Sequence, residues 1–446
     1  MSTPTDSARP GLDLREITMA LAELGEGMTD AERIDAIREA EELICAAQAL
    51  QARLSVDLDS SVQSAATARG VPAARLGRGV AHQVALARRE SPHRAERRLQ
   101  LAKIAPAELP CATTAWTAGR INEWRVTLLA RETACLSVED RLTIDAELAA
   151  DPTVIEAMGD SELVAEVRRR AYALDPEAFV ERRRRAEADR HTSLRPAPDT
   201  MAMLSALLSV KNGVAVHAAL SAEADRAKAA GDPRSRGQIM ADTLTSRVVS
   251  PSVAEVATGP LMVNVIVSEQ VLLGDPGTDG AAEVEGYGPV PGELLRSWIA
   301  DHLEAGVDVF VRRIYETPAT GALVAMDSKA RLFPARLAEF LRLRDPRCRT
   351  RYCDAPARDA DHATAHVEGG ATSAANGQCL CEGCNIAKEA YGWSARPRPG
   401  PRHTVETTTP TGHTYTSVAP RFTPPPLGTV AVPKVELAAD FLWPAA

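Results

Sequence analysis

Apolar residues recur at helical spacing from Leu14 to Leu58, with Leu21, Leu24 and Met28 in one stretch and Ile34, Ile37, Leu43 and Ile44 in the next. This pattern predicts a pair of helices. Between Ala73 and Pro110 the run VAHQVALARRESPHRAERRLQLAKIAPAELP is again helical, and Pro92 follows Ser91 as a first-turn proline behind a capping residue. Pro106 and Pro110 are expected to break it. In AWTAGRINEWRVTLLARETACL, Gly119 separates two helical segments whose Trp116 and Trp124 read as core. Helical spacing continues to Leu174, with Asp160 or Ser161 capping SELVAEVRRRAYAL. The basic run Arg182 to Arg185 reads as a solvated helix face, diluted by Glu181, Glu187 and Asp189.

Near Arg195 the pattern changes. RPAPDT reads as a loop, MAMLSALLSVKNGVAVHAALSAEADRA as a return to helix, and GDPRSRGQIMADTLTSRV as a turn followed by another helix. From Pro260 the β-branched run LMVNVIVSEQVLLG predicts a strand, and FVRRIYETPATGALVAMD predicts a hairpin around a Pro/Gly turn. YGPVPGELLRSWIAD and ARLFPARLAEFLRLRD are short helices, the second delivering the chain to Cys348. After Gly392, RPRPGPR reads as a stiff basic linker and HTVETTTPTGHTYTSV as a threonine-rich hairpin. The fold class expected is therefore a mainly α N-terminal domain with a small strand-containing part, followed by a small zinc-stapled C-terminal domain. The expected boundaries are a disordered start over 1–13, the helical domain over 14–330, the stapled domain over 331–395, and linker, hairpin and Pro-rich tail over 396–446.

Composition changes this picture in two ways. The net charge of −9 argues against a surface that coats nucleic acid throughout, yet residues 331–402 hold twelve Lys/Arg against eight Asp/Glu. A local basic patch is expected there. Five of the eight cysteines fall between Cys348 and Cys384, a clustering that favours metal binding over disulfides. The N-terminus shows no basic-then-apolar signal pattern and no apolar run approaches the ~20 residues of a membrane helix, so a cytoplasmic protein with no membrane partner is expected. Cys45, Cys111 and Cys135 read as isolated structural thiols.

Cys348 and Cys353 are four residues apart in the intervening chain, and Cys381 and Cys384 two. Two such pairs converge on one tetrahedral zinc, and four thiolates leave it no open position, so this zinc is structural. Cys379 competes as an alternative ligand, since strand alternation puts it on the face of Cys381; it is taken as a bystander. Between the pairs stand Asp361 and His362, then Asn376, and Asn385 directly after the last cysteine. Neighbours on a strand face opposite ways, so Asp361 is placed to hold a divalent cation while His362 addresses a water. A neutral imidazole accepts a proton near neutral pH, and a cation offsets charge at a phosphate.

In Asp361-His362, GGATSAAN and LCEGCNIAKE the stretch resembles the HNH, or ββα-metal, endonucleases. With AWTAGRINEWRVTLLARETACL, GDPRSRGQIMADTL and LVAMDSKARLFP upstream, the wider chain resembles an actinobacterial family joining a domain of unknown function to a C-terminal HNH domain. The resemblance implies a DNA endonuclease, with RNA the other possible substrate. In it His362 is the general base, Asp361 and Asn385 are ligands of the catalytic cation, and Asn376 braces the loop that orients His362. Asparagine at the third motif position, where many such enzymes carry histidine, suits Mg²⁺ or Mn²⁺ better than zinc. Lys388, Arg349 and Arg351 are the expected phosphate contacts. The competing reading is a zinc-stapled nucleic-acid-binding protein whose nuclease site is degenerate. His366 and His403 receive no role.

Overall fold

The computed structural model describes residues 13–23, 27–248, 265–266, 281–284, 288–304, 316–317, 322–323 and 332–420. The polar start through residue 12, most of the strand expected from Pro260, and the Pro-rich tail from residue 421 lie outside the described residues. The described chain is mainly helical, with small antiparallel sheets. It divides into two compact units, Met1–Val84 with His93–Arg185 and Ala85–Pro92 with Ala186–Ala446.

The expected helix pair is α1 (Leu14–Glu23) and α2 (Asp30–Ala68). A capping box starts α2: Thr29 Oγ1 accepts from Glu32 N–H, and the Glu32 carboxylate accepts from Thr29 N–H. Then follow α3 (Val80–Arg88) and α4 (Pro92–Glu108). Pro106 does not break α4. The helix runs on two residues past it to Glu108, one intrahelical hydrogen bond short at the Pro106 nitrogen. Pro110 instead opens α5 (Pro110–Thr117) at its first position.

Helices α5, α6 (Glu123–Thr133), α7 (Val138–Ala149), α8 (Pro152–Glu156) and α9 (Asp160–Leu174) bury one core of Leu109, Trp116, Leu129, Ile144, Leu148, Ile155, Leu163 and Val167. Gly119 makes the α5–α6 turn at φ 82°, and a side chain there would meet Glu42 O at 2.7 Å. Trp124 is not core: it is 47% exposed, and its indole N–H donates to Asp160. Gly159, rather than Asp160 or Ser161, is the residue before α9. In α10 (Pro176–Ala188), Arg182 donates to the carbonyls of Arg131 and Glu132 at the end of α6, while Arg184 and Arg185 form the solvated face that was expected.

In the second unit, β1 (His191–Ala197) pairs antiparallel with β2 (Met201–Leu207). MAMLSAL is therefore strand and not helix. Asp199 and Thr200 both take positive φ, 59° and 61°, in the three-residue turn that joins Ala197 to Met201, and this reversal with strand pairing overrides the weak helix preference of Ala, Met and Leu. Helices α11 (Val210–Ala229) and α12 (Arg236–Val248) follow. Strands β3 (Val265–Ile266), β4 (Ala281–Val284) and β5 (Gly288–Pro291) form a sheet against α13 (Gly292–Glu304), and β6 (Glu316–Thr317) pairs with β7 (Ala322–Leu323) where the Pro/Gly hairpin was expected.

The C-terminal module runs from α14 (Ala335–Arg344) through a cysteine loop, β8 (Asp359–His362), β9 (Gly377–Leu380) and α15 (Glu382–Lys388). It closes with the sheet β10–β11–β12 (Ser394–Arg398, Thr404–Thr408, Thr414–Val418). The expected hairpin is β11–β12, but the first three residues of the expected basic linker lie in strand β10, where Arg396 and Arg398 pair with Glu406 across the sheet. The module accordingly extends past residue 395. Arg349 reaches the carbonyls of His403 and Ser417, and His403 Nε2 lies 3.1 Å from Ala375 O.

Candidate metal centre and adjoining hairpin site

The cysteine loop is held before any ion is considered. Cys348 N–H donates to Ala355 O and Cys353 N–H to Thr350 O, with Tyr352 between them at φ 64°. The second pair straddles a helix start: Cys381 caps α15, and its Sγ accepts from Cys384 N–H. The four sulfurs of Cys348, Cys353, Cys381 and Cys384 all lie within 4.8 Å of one another, and Cys353 and Cys381 are 3.8 Å apart. Four sulfurs at zinc–sulfur bond length around a tetrahedral ion stand about 3.8 Å apart. The site fits structural zinc. Mutual hydrogen bonding divides the four thiols, holding Cys348 and Cys381 below the usual thiol range and pushing Cys353 and Cys384 above it. Cys379 is the bystander expected from sequence. It sits fully buried on β9, its thiol pushed up to about 12 by burial, because the chain leaves the strand before Cys381.

A buried ion pair anchors the module from below. Arg344 forks onto Asp345 at 3.0 and 2.7 Å and donates to Ala374 O and Gly377 O, while Asp345 accepts from Cys379 N–H. This ties α14 to β9 and to the loop that precedes it.

Strand β8 carries the candidate chemistry. Asp361 is largely buried; its Oδ2 lies 3.0 Å from Lys388 Nζ and accepts from Gln378 Nε2 at 3.1 Å. Burial pushes this carboxyl up, opposed by the Lys388 ammonium. His362 places Nε2 2.9 Å from Thr372 Oγ1, and its ring centroid is 4.4 Å from that of Phe333 and 5.6 Å from that of His366. Burial lowers its pKa, partly offset by Asp361. Asn376 is buried and uses all its amide atoms on one loop, accepting from Thr364 N–H at 2.9 Å and donating to Thr364 O and Ala371 O at 3.0 and 2.9 Å. The same loop needs Gly370, where a side chain would meet Thr364 O at 1.9 Å.

Two of the three expected phosphate contacts are engaged within the protein. Arg349 is buried among carbonyls and near Asp345, so it faces no phosphate. Lys388 is committed to Asp361, Glu389 and the His362 carbonyl. Arg351 alone of the three is exposed, with its guanidinium 5.0 Å from the Tyr352 ring. Asn385 meets a residue the sequence reading passed over: its amide donates to Asp359 Oδ2 at 3.3 Å. Alternation held the signal, because Asp359 lies two residues before Asp361 on one strand face. The oxygens of Asp359, Asp361 and Asn385 are hard donors and match Mg²⁺ or Mn²⁺ in kind.

Fold and site together define a mainly helical protein that carries a compact four-cysteine module near its C-terminal end. The chain belongs to the family described as Domain of unknown function (DUF222), which it matches over residues 34–345. Over 86 residues it is 42% identical to Uncharacterized protein Rv3776 and 43% identical to Uncharacterized protein Rv2100, both of Mycobacterium tuberculosis (strain ATCC 25618 / H37Rv). The matched segment is 19% of this chain and 16% and 15% of those proteins. No solved structure matches the chain. All four clustered cysteines lie beyond the family match, while α14, which braces them, lies within it.

Proposed function

We propose that the C-terminal module is a metal-dependent endonuclease site that hydrolyses phosphodiester bonds in DNA. The observation that carries this reading is His362, held by burial in its neutral form, oriented through Nε2 toward Thr372, and set one residue from a carboxylate on the other face of the same strand. His362 accepts the proton of the attacking water. Asn376 is a positioning residue that closes the loop between β8 and β9, and so fixes the backbone from which His362 projects. Asp361 and Asn385, with Asp359, are the residues that would hold a divalent cation. Such a cation, when bound, stabilises negative charge on the phosphate and the leaving oxygen.

Supercoiled plasmid incubated with the zinc-loaded chain is expected to be nicked in Mg²⁺ or Mn²⁺ and spared in their absence. His362→Ala, at equal zinc content, is expected to lose at least about 100-fold in rate, the scale of general-base catalysis. Undiminished nicking by His362→Ala contradicts the assignment. The second reading, a nucleic-acid-binding protein with a degenerate site, is favoured by Lys388, whose ammonium already neutralises Asp361. Salt-sensitive DNA binding with no cleavage in either metal would select it.

A further inference from the structure

A second excess of positive charge in this acidic chain lies outside the cysteine module. Residues 69–103 hold nine Lys/Arg and two Asp/Glu, within a chain of net charge −9. The first compact unit contains most of this segment. Arg69, Arg75, Arg78, Arg94 and Arg97 are all exposed.

Helix α4 organises these charges. It buries Ala95, Leu99 and Ala102 on one face, at spacings of four and three. The opposite face presents His93, Arg94, Glu96, Arg97 and Gln100 to solvent, with Gln100 Nε2 donating to Glu96 at 2.7 Å. On either flank of that face a cation is bound internally. Arg98 pairs with Glu123 at 2.9 Å, and Lys103 pairs with the buried Asp59 of α2 at 2.8 Å. Asp59 is also where the loop after α2 docks, since a side chain at Gly77 would meet Asp59 Oδ1 at 2.9 Å. The loop bearing Arg75 and Arg78 is thereby fixed against the Lys103 flank of α4. Next to Arg69, the end of α2 forms a shallow open groove lined by Ser60, Gln63, Ser64 and Thr67.

We infer that the outward face of α4, with Arg75 and Arg78 beside it, is a surface that binds duplex DNA. An α-helix with its side chains is about 10–12 Å across, the width of a B-DNA major groove. Arg94 and Arg97 on the exposed face are of the kind that address guanine edges. The flanking arginines and hydroxyls are of the kind that contact phosphates. An acidic protein partner would be met by the same charge, but would not call for arginines presented on a helix of major-groove width. This surface stands apart from the proposed cleavage chemistry and would supply it with a substrate address.

The test is fluorescence anisotropy of a labelled 25-base-pair duplex with the zinc-loaded full chain, without added Mg²⁺ or Mn²⁺, titrated at several salt concentrations. The charge-reversed variant Arg94→Glu/Arg97→Glu is compared with Arg184→Glu/Arg185→Glu, which alters two other exposed arginines of the same unit. The first pair is expected to weaken binding at least about 10-fold and to flatten the salt dependence by about two counterions, while the second changes affinity less than about 3-fold. Arg97→Gln should give an intermediate loss, with thermal melts matching wild type for every variant compared. Equal losses for the two pairs, or wild-type affinity in Arg94→Glu/Arg97→Glu, overturns the inference. So does competition by an acidic polypeptide but not by unlabelled duplex. Cleavage by His362→Ala is a separate measurement, so failure of this surface and failure of the nuclease site are told apart.

Discussion

Asn376 is the residue whose expected role and observed partners agree most closely. A buried amide that closes three hydrogen bonds leaves two carbonyls and an N–H unpaired when it is removed. Asn376→Ala is expected to cost about 1–3 kcal/mol in denaturant unfolding of the module, and Gly370→Ala at least about 2 kcal/mol, because its side chain would overlap Thr364 O. His403 supplies a pH dependence. Burial, reinforced by Arg344, lowers its pKa to about 4, against about 6.5 in the unfolded chain. The unfolded state therefore binds more protons between those values, and stability is full above pH 6.5 and lost as pH falls toward 4. His403→Gln is expected to flatten that part of a stability–pH curve; an unchanged slope would exclude His403 as its source. That Asp361, His362 and Asn376 fall in one small hairpin was legible because their spacing is written in sequence. Arg349 was not, because an arginine between two cysteines looks the same whether it faces a phosphate or the carbonyls of His403 and Ser417.

At the scale of elements, the module depends on two staples. One is the four-cysteine cluster, and the other is the β10–β11–β12 sheet, which holds Arg349 directly after Cys348. One zinc per chain is expected on a thiol-displacement titration, and chelation should unfold residues 332–420 while leaving the helical signal of the first unit. A chain ending at Gly392 is expected to release zinc at least about 10-fold faster than one ending at Pro420; equal release rates would show that the sheet contributes nothing to the centre. The helices were read well because their apolar spacing is local. β1–β2 was misread because Met201–Leu207 has the residues of a helix and only the paired positive φ values at Asp199 and Thr200 turn it into a strand. Strand β10 was hidden for a related reason, since three prolines and a glycine suggest a linker until Glu406 pairs Arg396 and Arg398 across the sheet.

For the whole molecule, charge is divided unevenly. The modest excess over residues 331–402 drew attention to the cysteine module, where Arg344 and Arg349 are buried and Arg358, Arg396 and Arg398 are paired, while the steeper excess at residues 69–103 includes Arg75, Arg78, Arg94 and Arg97 on exposed helix and loop. Composition gives the total and hides the distribution, because pairing is a property of the folded chain. The account that follows has cleavage chemistry in one compact unit and the α4 surface in the other. Its central claim rests on His362 as the proton acceptor, and chemical rescue tests that directly. Plasmid nicking in Mn²⁺ is measured for wild type and His362→Gly at matched zinc content, with and without added imidazole. The account predicts that His362→Gly is nearly inactive, that imidazole restores a substantial part of its rate, and that wild type does not respond. A variant as active as wild type, or one silent with imidazole although folded and zinc-loaded, would contradict it.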